Sequence, residues 1–213
     1  MEVSGLSEVA AISAGAGHGL ALLKNGTVMA WGYNAFGELG NGTKTNSDVP
    51  VAVSGLSEVA AIAAGGYHSL ALLKNGTVMA WGRNAEGQLG IGTTQSSVPV
   101  EVSGLSEVTA ISGGNEFSLA LKDGTVMAWG SNVVGELGNG TTTNNDVPVE
   151  VSGLKEVTAI SAGGDHGLAL PIAARRWPGG QTALDSSATA RVPGQKPAAK
   201  ALQAAPAAQN PWK

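Results

Sequence analysis

The chain has 213 residues and a net charge of −4, with no cysteine, 32 glycines and 13% charged side chains. The missing thiol excludes disulfide staples and thiolate metal sites. No uncharged apolar run reaches the ~18 residues of a membrane-spanning helix, and Met1 leads into Glu2 rather than into a basic, then apolar leader, so the expected setting is cytoplasmic.

VSGLSEVAAI runs from Val3 to Ile12, returns unchanged from Val53 to Ile62, and recurs lightly edited from Val102 and Val151. These valines lie 50, 49 and 49 residues apart. So regular a period marks an array of like supersecondary units, none able to bury its apolar face alone. Within the first period, SEVAAISAG, HGLALL, GTVMAWG and DVPVAVSG are short and rich in valine, isoleucine and alanine. Asn25-Gly26, Asn41-Gly42 and the glycines from Gly37 to Gly40 punctuate them. They read as about four strands per unit.

Side chains alternate along a strand, so Val28, Ala30 and Gly32 share one face and Thr27, Met29 and Trp31 the other. Neither face is charged, so both are covered. LALLKNGTVMAWG recurs letter for letter at 20–32 and 70–82. The expected fold is all-β: an incomplete β-propeller of about three and a half four-stranded blades over residues 1–170. Its repeats fall at about 2–51, 52–100 and 101–149, with a partial one at 150–170.

From Pro171 the composition changes. Residues 171–213 are rich in alanine, proline and glutamine, lack periodicity, and read as a disordered basic tail. Charge divides at the same point, −9 for residues 1–170 against +5 for 171–213. An acidic repeat body is a poor match for nucleic-acid phosphates. The tail's codons also permit a second text. In a shifted frame, Arg176 to Gly180 allows Met-Ala-Trp-Gly, and Leu184 to Arg191 allows Gly-Gln-Leu-Gly-Asn-Gly-Thr in matching register. The tail therefore reads as a frameshifted fourth repeat, which keeps a non-functional product among the expectations; the third bases of the coding DNA decide it.

His18, His68 and His166 occupy one position in successive repeats, and Phe117 takes it in the third. Residues on different blades cannot gather around one metal or serve one triad. A packing slot with a hydrogen bond for the imidazole is expected instead. Asp165 beside His166 reads as a blade-edge turn residue rather than half of a dyad. GELGNGT at 37–43 lacks the lysine and following helix of a phosphate loop, so its glycines are expected to supply positive φ. Trp31, Trp81 and Trp129 recur once per unit in mid-strand and read as inter-blade packing. No catalytic residue, metal or cofactor is expected.

Binding is better sought where the copies differ, because the scaffold does not dictate those positions. Tyr33, Arg83 and Ser131 are equivalent, as are Phe36, Glu86 and Val134, and as are Lys44, Thr94 and Thr142. All lie in the loop after the tryptophan strand, on one rim of the array.

The elements GTVMAWG at 26–32, Asn34 to Gly40, Val49-Pro50-Val51 and AGAGHGLAL at 14–22 occur in this form and again in the next two copies. In kind and order they resemble the repeat of the regulator of chromosome condensation family. The resemblance implies propeller blades, and a partner such as a small GTPase. It also implies guanine-nucleotide exchange, which in the founding member depends on a wedge-like insertion from one blade. Tryptophan spacings of 50 and 48 leave no room for such an insertion. The expected function is thus a non-catalytic interaction scaffold that presents variable rim loops to a protein partner, with nucleotide exchange as the alternative. Open blade faces are expected to promote self-association.

Overall fold

The computed structural model describes residues 3–92 and 95–172. The expectations for the tail from 173 onward and for Thr94 lie outside those residues.

The first unit forms β1 (Val9–Ala14), β2 (His18–Leu23), β3 (Val28–Gly32) and β4 (Ser47–Ala52), hydrogen-bonded in chain order as one antiparallel sheet. The second gives β5 (Val59–Ala64), β6 (His68–Leu73), β7 (Val78–Gly82) and β8 (Ser96–Glu101). The third gives β9 (Val108–Gly113), β10 (Phe117–Lys122), β11 (Thr125–Gly130) and β12 (Asn145–Glu150). A last pair, β13 (Val157–Ala162) and β14 (Gly167–Pro171), repeats the first two strands of a blade. The architecture is all-β, with three full blades and half of another among the described residues.

The turns follow the sequence signals. Between β2 and β3, Asn25 Oδ1 accepts from the Thr27 amide at 2.9 Å while Gly26 takes a φ of +86°, which glycine adopts without a Cβ penalty. The link into each blade behaves differently from what its residues suggest. Glu8, Glu58, Glu107 and Glu156 sit at φ between +51° and +58°, where a β-carbon is disfavoured. The first two of these glutamates form exposed ion pairs with Lys24 and Lys74 across the sheet end.

Consecutive blades pack face on face. Leu20, Leu22, Val28, Ala30 and Leu39 of the first blade form one core with Val59, Ala64, Ala71 and Trp81 of the second. The second and third blades repeat the arrangement, with Leu70, Leu72, Val78, Ala80 and Leu89 meeting Val108, Ala120 and Trp129. The third seam seats Val157 and Ala169 against Phe117, Leu119 and Leu121. The strand alternation explains the rule: leucines at every second position point forward to the next blade, and the intervening alanine and the tryptophan point back. Trp81 and Trp129 are 0% exposed. Trp31, on the first blade's outward face, is only half-buried.

Candidate protein-interaction rim

Each loop after a tryptophan strand is organised from within by its asparagine. Asn34 Oδ1 accepts from the Leu39 amide at 2.9 Å, and its Nδ2 donates to the Thr45 carbonyl at 2.9 Å. Asn132 repeats both bonds, to Leu137 at 2.9 Å and Thr143 at 3.1 Å. Gly37 is needed twice over: its φ is +94°, and a Cβ there would lie 2.5 Å from Ser97 Cα of the next blade. The glycine loop therefore serves backbone geometry, as expected.

The loop also locks one blade to the next. The Glu38 carbonyl accepts from the Trp81 indole at 2.7 Å and from the Ser69 hydroxyl at 3.0 Å, and Ser69 Oγ lies 2.9 Å from His18 Nε2. At the second seam the Gln88 carbonyl accepts from Trp129 at 2.9 Å and Ser118 at 2.8 Å, with His68 Nε2 2.9 Å from Ser118 Oγ. The histidine slot is thus a seam latch. Its third copy has lost both halves together: Phe117 replaces histidine, and Gly167 stands where its serine partner would be.

The hydroxyl protons go to carbonyls, so the imidazoles donate through Nε2, and Nδ1 of His18 and His68 has no partner among the described residues. Burial lowers His18 from 6.5 to about 4 and, with a contribution from His18, lowers His68 to about 3. Both rings are neutral in the fold. Below pH 6.5 the unfolded chain takes up protons that the folded chain refuses until about pH 4 and 3, so the histidines remove stability as pH falls. The slope is ~1.4 kcal/mol per pH unit for each histidine. Glu38, raised by burial, acts with opposite sign but as a single group. We expect His68→Phe to remove one histidine's share of the acid slope, read from urea unfolding at pH 7 and pH 5. An unchanged slope would refute the assignment.

Above these latches the variable residues converge. Tyr33 and Phe36 meet edge-on with ring centroids 6.2 Å apart, and Tyr67 closes a triangle at 6.2 Å from Tyr33 and 6.0 Å from Phe36. The Arg83 guanidinium lies 5.7 Å from the Phe36 centroid and 6.0 Å from that of Tyr67. It also pairs with Glu116 and lies 3.9 Å from Glu86. Glu86 in turn accepts from Asn144 Nδ2 at 2.7 Å. Three blades thus contribute to one aromatic and charged patch.

Tyr33, Phe36, Arg83 and Glu86 are therefore brought together. Val134 is exposed at the tip of the third blade's loop, and Lys44 is exposed between β3 and β4. Ser131 is buried and donates to Glu136 Oε1 at 2.9 Å, so its hydroxyl serves the loop rather than the surface. Tyr67 and Glu116 were missed. They occupy one equivalent position, before the histidine slot, where the copies read Gly17, Tyr67, Glu116 and Asp165. That position varies as much as the others, so the same criterion applied to the β1–β2 turn would have found them. Beside the patch, Asn84, Glu86, Gln95, Asn144 and Asp146 line an open cleft of about 1030 Å³. Among the described residues no group of three or more His, Cys, Asp or Glu could hold a metal, and no helix is long and apolar enough to cross a membrane.

A family profile described as Regulator of chromosome condensation (RCC1) repeat matches residues 25–72, 75–121 and 123–170, and a second of the same description matches 9–38 and 59–88. The chain belongs to this repeat family. Each unit of the first profile starts just before or within the hairpin ahead of a tryptophan strand and ends in the second strand of the following blade, so the matched unit bridges two blades. A comparison with curated proteins gave no match. Among solved structures, Prp20p from Saccharomyces cerevisiae, described with its binding properties to Gsp1p and histones, superposes with a TM-score of 0.70 at 23% identity. The match covers 78% of this chain and 44% of Prp20p. Yeast RCC1 (Prp20) bound to Kap60 gives the same score and identity, over 78% and 42%. Human WBSCR16 follows at 0.57 and 22%, over 76% and 57%. This chain spans less than half the length of Prp20p, and the likeness at these identities is one of fold.

Proposed function

We propose that the chain is a non-catalytic, cytoplasmic interaction scaffold whose rim patch docks a protein partner. One observation carries this reading. The patch of Tyr33, Phe36, Tyr67, Arg83 and Glu116 is built from positions at which the repeats differ, and its construction works against loop stability. In the third blade Ser131 satisfies Glu136 Oε1. With Tyr33 and Arg83 at the equivalent positions, Glu38 Oε1 and Gln88 Nε2 are buried without a partner among the described residues. A buried polar atom left unpaired costs ~1–3 kcal/mol, a cost that is understandable where activity, not folding, selects the residue. Aromatic rings and an arginine are also the side chains that most often dominate protein interfaces.

Guanine-nucleotide exchange on a small GTPase is the second reading, supported by the likeness to Prp20p and its description with Gsp1p. The two separate in one experiment, with a Gsp1-type GTPase carrying a fluorescent guanine nucleotide as the probe. The scaffold reading expects the chain to bind the GTPase, or histones in a parallel titration, while nucleotide release stays at its spontaneous rate. Accelerated release would replace it with the exchange reading.

A further inference from the structure

We propose that two copies of this chain associate head to tail, the β13–β14 face of one seating on the β1–β3 face of the other as consecutive blades do within the chain.

The docking of such surfaces is already visible within the chain. The back face of the second blade meets the first blade through Val59, Ala64, Ala71 and Trp81. The first blade carries the same residues at the same places, as Val9, Ala14, Ala21 and Trp31. Ala21 is as enclosed as Ala71, but the two faces otherwise differ in what covers them: Val59 is 4% exposed and Val9 is 39% exposed, and Ala14 is exposed where Ala64 is buried. Ile12 is 77% exposed, and a groove of about 520 Å³ crosses the face past Ile12, Ala14 and Trp31. At the other end, Leu168 and Leu170 stand where Leu20 and Leu22 stand, the residues that receive such a face, and Leu170 is 60% exposed.

The polar groups match as well. Within the chain the Ala64 amide donates to Ser13 Oγ at 2.9 Å, and the Ala162 amide to Ser112 Oγ at 2.9 Å. Exposed Ser161 is the next hydroxyl of that series, and its complement is the Ala14 amide of a second copy. Main-chain bonds also step from blade to blade near the turns, Ala16 N to Gly66 O at 3.3 Å and Asn115 N to Gly164 O at 3.0 Å. Gly164 N to Ala16 O of a second copy continues them. Gly19 stands where a histidine-accepting serine would, so His166 gains no latch, as at the third seam. Such a contact uses two different patches, and it closes into a dimer or extends as a chain according to its rotation.

The test uses the full 213-residue chain in sedimentation equilibrium at micromolar concentration, with Ile12→Asp and Leu170→Asp. Both side chains are exposed, so circular dichroism should match the parent; Val9→Lys and Leu168→Asp serve as replacements if either variant misfolds. The parent is expected to exceed the monomer mass at least twofold. Each variant alone should be monomeric, and an equimolar mixture of the two should form dimers, because each supplies the face the other lacks. A monomeric parent would overturn the proposal, including one whose face is covered by residues 173–213 of the same chain. So would a mixture that stays monomeric, or loss of association from only one of the two variants, which is the signature of a symmetric face.

Discussion

Trp81→Ala is expected to destabilise the chain by ~4 kcal/mol, a large part of the ~5–15 kcal/mol that holds a typical domain folded. The indole is fully enclosed between the first two blades, among Leu20, Leu22, Val28 and Leu39. Its removal leaves a cavity that two rigid sheets cannot collapse to fill. It also takes the 2.7 Å hydrogen bond from the Glu38 carbonyl, leaving that oxygen the Ser69 hydroxyl alone at 3.0 Å. Trp31→Ala provides the internal comparison. The residue sits in an identical strand sequence, but its ring lies on the outward face and is half-buried. In dilute, monomeric chain it should cost well under half as much. Urea unfolding of the two variants measures the difference, and equal losses would mean that the seams do not hold the array together.

The periodicity made the blades legible because the inner strands β2, β6 and β10 are buried on both faces, so their apolar content survives in every copy. Even the direction in which Val28 and Trp31 point followed from alternation. The left-handed Glu8, Glu58, Glu107 and Glu156 were not legible, since glycine or asparagine is the usual signal for that backbone and glutamate carries none. The histidine slot was recognised as structural, yet its partner lies 51 residues away in the next blade, at Ser69. Only the joint loss of histidine and serine at Phe117 and Gly167 encodes that pairing, and it spans two repeats. The rim was half legible. Variation among copies picked out Tyr33, Phe36, Arg83 and Glu86, but Tyr67 and Glu116 reach the patch from a different turn, brought there by the stacking of blades rather than by proximity in the chain.

The rim itself can be exchanged without rebuilding the scaffold. Tyr33→Ser, Phe36→Val, Arg83→Ser and Glu86→Val together give the first two blades the residues that the third blade already carries in the same loop. The combined variant should be at least as stable as the parent. A serine at 33 can satisfy Glu38 Oε1 as Ser131 satisfies Glu136 at 2.9 Å, and the lost ring contacts are at the surface. Binding should respond in the opposite sense. Removing an aromatic pair and an arginine from the middle of an interface costs ~1 kcal/mol or more for each residue, and ~1.4 kcal/mol is already tenfold in affinity. The decisive measurement is a calorimetric titration of a Gsp1-type GTPase, and in parallel of histones, with the parent chain and with this fourfold variant. Binding by the parent to one of them, weakened more than tenfold in a variant whose melting temperature is not lowered, is the predicted result. A parent that binds neither, or a variant that binds as the parent does, would contradict the assignment of function to the rim.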